Sequence, residues 1–305
     1  MIGESITTRS GIGHAIGHHG EVFQGVTESV SGALVRTLVT LPCHDLGSKA
    51  LFRAIEGGGL NCADSWRRKS IAAAELTLRF IGQSHFGGDL SVESNIPAGL
   101  GLGSSTADVV ATIRAVANAF GQEVSPQGVG RLAVKAEIAS DSIMFGDQAV
   151  LFAQREGRVI EYLGQPLPPI EVVSINTNGC DSAVDTINMP LPDYTPWEVA
   201  TFRTLLGLMR RAVRAGDATL LGRIATVSAE INQRFLPKVM FPLLRDVVRH
   251  TDALGIQVAH SGTVLGVLCR PEDSVSIREV RRRVAAELGV EAVQFRSYCP
   301  LSFVS

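Results

Sequence analysis

A glycine-rich segment between a predicted strand and a predicted helix constrains the fold of this chain more than any other feature. Leu90, Val92 and Ile96 recur at even positions, which is the period of a strand with one buried face. Pro97 ends that strand. After the glycines, apolar residues at helical spacing predict a helix over Ser105–Phe120. The chain therefore passes from a strand, through three glycines, directly into the start of a helix.

The segment itself combines glycines with hydroxyl side chains and reads Pro97-Ala98-Gly99-Leu100-Gly101-Leu102-Gly103-Ser104-Ser105-Thr106. Glycines let the backbone approach a ligand closely and adopt positive φ. The first turn of a helix presents unpaired N–H groups and the positive end of the helix dipole, which together favour an anion. Ser104 and Ser105 add hydroxyls that could reach phosphate oxygens or a magnesium ion. The segment therefore predicts a phosphate site.

Three other interpretations of the glycines compete with this one. A Walker loop is excluded, because no Gly-Lys-Ser or Gly-Lys-Thr follows. A dinucleotide fingerprint would need glycine where Ser104 or Thr106 stands. A capped turn without a ligand would not need three glycines and two serines. A second stretch, residues 11–17, imitates a nicotinamide-cofactor loop, but the residues before it, Glu4–Ser10, are polar and do not predict a strand.

Length and element order predict two α+β domains, residues 1–164 and 170–305. A chain of 305 residues exceeds what one hydrophobic core usually supports. Gly164–Pro169 is the predicted linker. In the second half the predicted order is strand, long helical region, two strands, helix and strand, which resembles a ferredoxin-like domain. The long helical region also allows a homodimer, although no residue pattern defines an interface.

Other predicted elements depend on local patterns alone. Turn residues His44–Ser48 predict a break between two strands, Leu34–Cys43 and Lys49–Ile55. Ser125 is the predicted cap of a helix over Pro126–Ile138. Remaining predictions are a helix over Asp64–Gly82 and a hairpin formed by Ala149–Ala153 and Val159–Leu163.

Composition and charge limit the partners that the chain is expected to bind and the cellular compartment in which it is expected to lie. Formal charge is −2 with acids and bases mixed, so nothing predicts binding to nucleic acid or an anionic membrane. The basic run Arg67-Arg68-Lys69 is interpreted as a solvated helix face. No apolar run is long enough to span a bilayer, and Met1–Ser10 lacks the apolar core of a signal peptide. Five scattered cysteines fit a reduced, cytoplasmic protein.

Two acids downstream of the glycine segment are candidates for acid–base and metal chemistry. Glu137 and Asp141 are spaced i and i+4. If the predicted helix persists, both carboxylates share one face; if it ends near Ala139, Asp141 lies in the following loop. Spacing alone also fits a solvated helix face. His18 and His19 are predicted to lie in a loop near a ligand, because no third metal ligand is evident beside them.

Three segments resemble the GHMP kinases, the superfamily of galactokinase, homoserine kinase and mevalonate kinase. The first is Pro-x-x-x-Gly-Leu-Gly-Ser-Ser at residues 97–105, whose continuation Thr106-Ala107-Asp108 is similar to the L-threonine kinases of cobalamin synthesis. The second, at residues 259–266, is Ala-His-Ser-Gly-Thr-Val-Leu-Gly, in the place of the third family motif. The third, Gly-Glu-Val-Phe-Gln-Gly at residues 20–25, resembles their N-terminal segment, although His19 stands where those enzymes usually carry cysteine.

The resemblance implies a fold, an activity and roles for individual residues. The fold would be a ribosomal S5 domain 2-like N-terminal domain followed by a ferredoxin-like C-terminal domain. ATP would bind on residues 97–106 with Mg²⁺ held by Ser105 and Glu137, and Asp141 would orient and deprotonate the acceptor hydroxyl, with Ser105 as the second catalytic residue. The acceptor, a small alcohol or amino acid, would be contacted by His19, Glu21, Gln24, Ser261 and Gly262.

L-Threonine is the acceptor that the resemblance favours, with O-phospho-L-threonine as product. Homoserine, a sugar or a mevalonate-like acid remain alternatives, and so does a non-catalytic nucleotide sensor of the same fold.

Overall fold

The computed structural model of the chain describes residues 9–29, 31–177, 192–259 and 261–299. Within these ranges lie ten strands: β1 Ser10–Glu28, β2 Leu34–Glu56, β3 Leu60–Cys62, β4 Phe86–Ser94, β5 Gln148–Ala153, β6 Arg158–Pro166, β7 Glu171–Asn176, β8 Gly255–Val258, β9 Val264–Cys269 and β10 Ala292–Arg296. They also contain seven α-helices: α1 Arg68–Phe80, α2 Ser104–Ala119, α3 Pro126–Glu137, α4 Pro196–Ala215, α5 Ala218–Asn232, α6 Phe241–Arg249 and α7 Ser274–Arg283. A 3₁₀ turn, Ile143–Phe145, precedes β5, and a π-helical turn, Val284–Leu288, follows α7.

All ten strands belong to one sheet in the order β10-β7-β9-β8-β1-β2-β4-β3, and β5 pairs with β2 and β6. Strand β1 joins the two halves, because it pairs with β2 along its length and with β8 through Glu21 and Val258. A hydrophobic cluster also crosses this join, with Phe23 of β1 packed among residues such as Phe202 and Leu205 of α4. The α+β fold class predicted from the sequence is confirmed, and the division at residues 164 and 170 remains a proposal.

Strand β2 is continuous, so the predicted break at His44–Ser48 is wrong. Ile16 of β1 lies opposite Gly47, and the next residue, Gly17, lies opposite Cys43. This shift of register leaves the residues between Cys43 and Gly47 as a bulge on β2, and pairing resumes on both sides of it. The same polar and small residues suit a bulge or a turn, so the sequence pattern could not distinguish them.

The glycine stretch at residues 11–17 is part of strand β1 and packs against helix α2. A Cβ atom on Gly11 would lie 2.2 Å from the backbone nitrogen of Ala119, and one on Gly13 would lie 2.1 Å from the carbonyl oxygen of Ala111. The glycines therefore let a strand approach a helix at backbone contact distance. They serve packing and form no cofactor loop.

The helices around the glycine segment agree closely with the predictions. Helix α2 covers Ser104–Ala119, and its small and β-branched residues are almost all buried. Helix α3 begins after Ser125, whose hydroxyl accepts a hydrogen bond of 3.2 Å from the N–H of Gly128. The hairpin of β5 and β6 also forms, although β6 extends into the predicted linker as far as Pro166. None of the helices in the described ranges has the length and hydropathy needed to cross a membrane.

The contact between β1 and α2 yields a stability prediction. We expect Gly13→Ala to destabilise the protein by about 1–3 kcal/mol or more, because the new methyl group would overlap the backbone of α2. Urea unfolding measures this change. Gly207→Ala is the matched control, since that glycine is exposed in α4 with open space around it, and helix propensity predicts a gain of about 1 kcal/mol. Equal unfolding midpoints for wild type and Gly13→Ala would contradict the packing argument.

Candidate active site

The glycine segment forms an open turn that ends at the start of helix α2. Gly99, Gly101 and Gly103 all have φ near +80°, a conformation that other residues rarely adopt. Gly103 is the N-cap of α2, and no side chain from the described part of the chain caps the helix there. The first-turn N–H groups therefore face the turn without a capping side chain, as an anion site requires.

A cavity of about 280 Å³ lies over this turn. Most of the predicted site residues line it, namely Glu21, Gln24, Pro97, Gly99, Gly101, Leu102, Gly103, Ser104, Ser105, Thr106, Glu137, Asp141 and Ser261. Six further residues line the cavity: His18, Leu38, Lys69, Ala139, Ser140 and Gln154. Of these, the sequence indicated only His18, as a residue near a ligand. Leu100, Gly262 and His19 are not among the lining residues.

Leu100 and Gly262 form the contact between the glycine segment and the loop that joins β8 to β9. The carbonyl oxygen of Leu100 accepts a hydrogen bond of 3.1 Å from the N–H of Thr263. A Cβ atom on Gly262 would lie 1.9 Å from that same oxygen. The loop after β8 therefore packs directly on the glycine segment and presents Ser261 to the cavity. His260, within the same motif, lies outside the described residues.

Glu137 ends helix α3 beside the start of α2. Ser105 Oγ and Thr106 Oγ1 each donate a hydrogen bond of 2.9 Å to its carboxylate, and Lys69 Nζ lies 3.9 Å from Oε2. Burial, with the carboxylate of Asp141 nearby, raises the pKa of Glu137 to about 7 against the effect of Lys69 and the two hydroxyls. Hydroxyl and carboxylate oxygens are hard ligands that suit Mg²⁺, and a cation would keep this buried carboxylate ionised. The residues present therefore fit a magnesium ion.

Asp141 lies in the loop after α3, so the second of the two sequence interpretations applies. Ile138 follows Glu137 with φ +75° and turns the chain out of the helix. The carboxylate of Asp141 then lies 2.8 Å from Nε2 of His18. Thr106 Oγ1 lies 3.4 Å from the same carboxylate. Glu137 and Asp141 thus border one cavity from two different backbone segments.

His18 lies in strand β1 and not in a loop as predicted. Its ring packs over Gly103, where a Cβ atom would come within 2.2 Å of Cδ2. Burial lowers the pKa of His18, but the carboxylates of Asp141 and Glu21 outweigh that effect and raise it to about 9. The imidazolium in turn holds the pKa of Asp141 below its ordinary value in spite of burial. The two side chains therefore form a partly buried ion pair at neutral pH.

His19 does not reach the cavity, and its predicted contact with the acceptor is not supported by its position. Its Nε2 lies 2.7 Å from Ser174 Oγ, and its Nδ1 is hydrogen-bonded to Gln257. Burial lowers the pKa of His19 to about 3, so the ring is neutral. Neighbouring residues of a strand face opposite sides, which is why His18 and His19 have different surroundings.

The basic run at residues 67–69 is only partly a solvated face. Arg67 is largely buried and pairs with Asp108 of helix α2, which also accepts a hydrogen bond from Ser48. Lys69 is 45% exposed but lines the cavity near Glu137. The periodicity of α1 indicates neither contact, because both partners are far away in the sequence.

Comparison with known proteins identifies relatives of this chain. Residues 68–154 match the family model "GHMP kinases N terminal domain". An L-threonine kinase of Salmonella typhimurium is 31% identical over 179 residues, which are 59% of each chain. An L-threonine kinase of Citrobacter freundii is 28% identical over 179 residues, 59% of this chain and 61% of that protein. The chain thus matches less than two thirds of the length of these relatives.

Solved structures share the fold over nearly the whole chain. Homoserine kinase from Cytophaga hutchinsonii superposes with a TM-score of 0.71 at 15% identity, covering 98% of this chain and 97% of that one. The structure of MDDEF in complex with MVAPP, AMPPCP and magnesium has a TM-score of 0.70 at 12% identity, with 94% and 97% coverage. These likenesses establish the fold.

The ion pair of His18 and Asp141 predicts a pH dependence of stability. A folded-state pKa above the ordinary 6.5 means that His18 contributes stability that is complete below pH 6.5 and is lost as pH rises through about 9. We expect a loss on the order of 3 kcal/mol in the free energy of unfolding between about pH 6 and about pH 10. Urea unfolding across this range, in wild type and His18→Gln, isolates the effect. Equal pH slopes in the two proteins would exclude it.

Proposed function

Because residues 68–154 match the model of the GHMP kinase N-terminal domain and the chain shares the fold of solved GHMP kinases such as homoserine kinase, we propose that it transfers the γ-phosphoryl group of ATP to a hydroxyl of a small molecule, with L-threonine as the preferred acceptor. One observation carries the proposal. The open, glycine-lined start of α2 and the ionised carboxylate of Asp141 border the same cavity, so a phosphate donor and an alcohol could meet there.

The start of helix α2 would bind the phosphates of ATP. Backbone N–H groups of its first turn and the hydroxyl of Ser104 face the cavity and complement negative charge. Ser105 and Glu137 would hold Mg²⁺, which when bound neutralises charge on the phosphate oxygens. Lys69, at the rim beside Glu137, adds a second positive charge on that side. This half of the cavity thus supplies the charge compensation that phosphoryl transfer needs.

Asp141 would orient the acceptor hydroxyl and accept its proton. In a loose transition state the attacking oxygen gains little charge early, so correct placement contributes more than basicity. His18 supports both tasks, since its hydrogen bond fixes the carboxylate and its charge keeps that carboxylate ionised. The 2.8 Å contact makes His18 a positioning residue in the proposed mechanism.

The choice of L-threonine is supported by the two L-threonine kinases among the relatives. Glu21, which is nearly buried, lines the cavity near Asp141 and offers a carboxylate to an amino group. Gln24 and Ser261 are the other proposed acceptor contacts. The product, O-phospho-L-threonine, would fit a role in cobalamin synthesis.

A panel of acceptors tests the function. The pure protein is incubated with Mg-ATP and threonine, homoserine, mevalonate or a sugar, and ADP release is measured. ADP formation stimulated by threonine supports the proposal, and stimulation only by another alcohol would assign a different GHMP kinase activity. Nucleotide binding without ADP formation on any acceptor would instead indicate a sensor.

Asp141→Asn tests the mechanism. We expect turnover to fall about 100-fold or more, because the amide can neither accept the proton nor hold the ion pair with His18. The KM for ATP should change little, since the substitution leaves the glycine segment unchanged. Asp147→Asn is the matched control, an exposed carboxylate hydrogen-bonded to His44 outside this cavity. Wild-type turnover in Asp141→Asn would remove Asp141 from the mechanism.

A further inference from the structure

We propose that Gln154 is a specificity-determining residue, which together with Glu21 recognises the ammonium group of a vicinal amino alcohol, a molecule whose ammonium group sits on the carbon next to the hydroxyl-bearing carbon. The inference rests on the proposed kinase function, because it concerns the acceptor half of the same cavity. It adds a residue, Gln154, to which no role has been assigned.

The spacing of two carboxylates is the first observation. One side-chain oxygen of Glu21 and one of Asp141 lie within 4.8 Å of each other, together with a ring nitrogen of His18. A ligand that gives its hydroxyl to Asp141 must therefore present its second donor close to that hydroxyl. Two heteroatoms on adjacent carbons lie roughly 3–4 Å apart in staggered conformers, which suits this spacing.

Gln154 supplies the second observation. It follows β5, and its carbonyl oxygen accepts a hydrogen bond of 3.0 Å from the N–H of Ser140, so it is fixed to the loop that carries Asp141. Its side chain lines the cavity, and its buried Oε1 has no hydrogen-bond partner in the described part of the chain. A buried acceptor without a donor is unfavourable, so a donating ligand group would stabilise this arrangement.

An ammonium group matches these two acceptors better than the alternatives do. It carries three donors and a positive charge, so it has donors for both the carboxylate of Glu21 and the amide oxygen of Gln154, which line the same cavity. A sugar hydroxyl donates a single hydrogen bond and brings no charge. A mevalonate-like acid has a carboxylate but no ammonium, so it would bring a net negative charge to Glu21, whereas zwitterionic threonine would not.

The same cluster also offers a metal-ligand set, since His18, Glu21 and Asp141 each present one donor atom to the others. The hydrogen bond between His18 and Asp141 argues against a metal there. Nε2 of His18 is a protonated donor to that carboxylate and so offers no lone pair. An ammonium group leaves this hydrogen bond intact, whereas a metal ion would have to break it.

The first test compares acceptors on the wild-type chain with Mg-ATP, following ADP release. L-Threonine and 1-amino-2-propanol are vicinal amino alcohols with and without a carboxylate, L-homoserine has one more carbon between the two groups, and 3-hydroxybutyrate lacks the amine. We expect kcat/KM for homoserine to be at least about 10-fold below that for both vicinal compounds, the usual effect of one methylene. For 3-hydroxybutyrate we expect a reduction of about 100-fold or more.

The second test changes the two recognition residues. Glu21→Gln should lower kcat/KM for threonine by about 10- to 100-fold and should lower that for 3-hydroxybutyrate, which has no ammonium, much less. Gln154→Leu should have a smaller effect of the same kind, and Gln154→Glu should restore activity toward the amine because it keeps an acceptor oxygen. Gln127→Leu, an exposed glutamine outside the cavity, is the control.

The outcomes separate this inference from the kinase proposal. ADP formation that is as efficient with homoserine or 3-hydroxybutyrate as with threonine would overturn the inference and keep the kinase. An altered magnesium requirement in Glu21→Gln, with the preference for amines unchanged, would also overturn it and indicate a metal site. Absence of ADP formation with every acceptor, despite ATP binding, would instead refute the kinase function itself.

Discussion

The contact between strand β1 and helix α2 places His18 against the start of that helix, where the glycine segment ends. Gly11 and Gly13 bring the strand onto the helix backbone, and further along the strand the N–H of His18 donates to the carbonyl oxygen of Leu102 at 3.2 Å. The ring of His18 then covers Gly103. Because β1 also pairs with β2 and β8, it holds both halves of the sheet at this point. A side chain at Gly11 or Gly13 would overlap the backbone of α2, so β1 would have to move away from the helix and His18 away from the glycine segment.

The surroundings in the cavity shift the pKa values of two carboxyl groups that are close in sequence, Glu137 and Asp141, in opposite directions. Asp141 is ionised because the imidazolium of His18 is hydrogen-bonded to it. Among the described residues, Glu137 receives only hydroxyl donors at hydrogen-bond distance, and Lys69 is 3.9 Å away, so burial dominates and the pKa of Glu137 rises. Environments that push two pKa values apart assign different chemical tasks to similar groups. Here the carboxylate that lacks a close cation is the one that would gain most from a divalent ion.

Local signals predicted much of the fold and part of the site. Helices α2 and α3, with the cap at Ser125, follow from periodicity and capping chemistry within a few residues, and the glycine segment is visible as a motif. Contacts between distant segments were not predictable in the same way. His18 and Asp141 are 123 residues apart, and the different surroundings of His18 and His19 depend on which face of β1 meets α2. A bulge such as that in β2 is likewise decided by its partner strand.

Ile138 shows how such distant contacts override local preference. A β-branched residue at φ +75° costs roughly 1–3 kcal/mol, and this side chain is 58% exposed, so its own packing cannot impose the conformation. The hydrogen bonds made by the residues after Ile138 can impose this conformation. Ser140 is bonded to Gln154 after β5, Asp141 to His18 of β1, and Ser142 to Thr40 of β2. Three neighbouring segments thus hold the loop away from the helical path, and the sequence around Ile138 contains none of these partners.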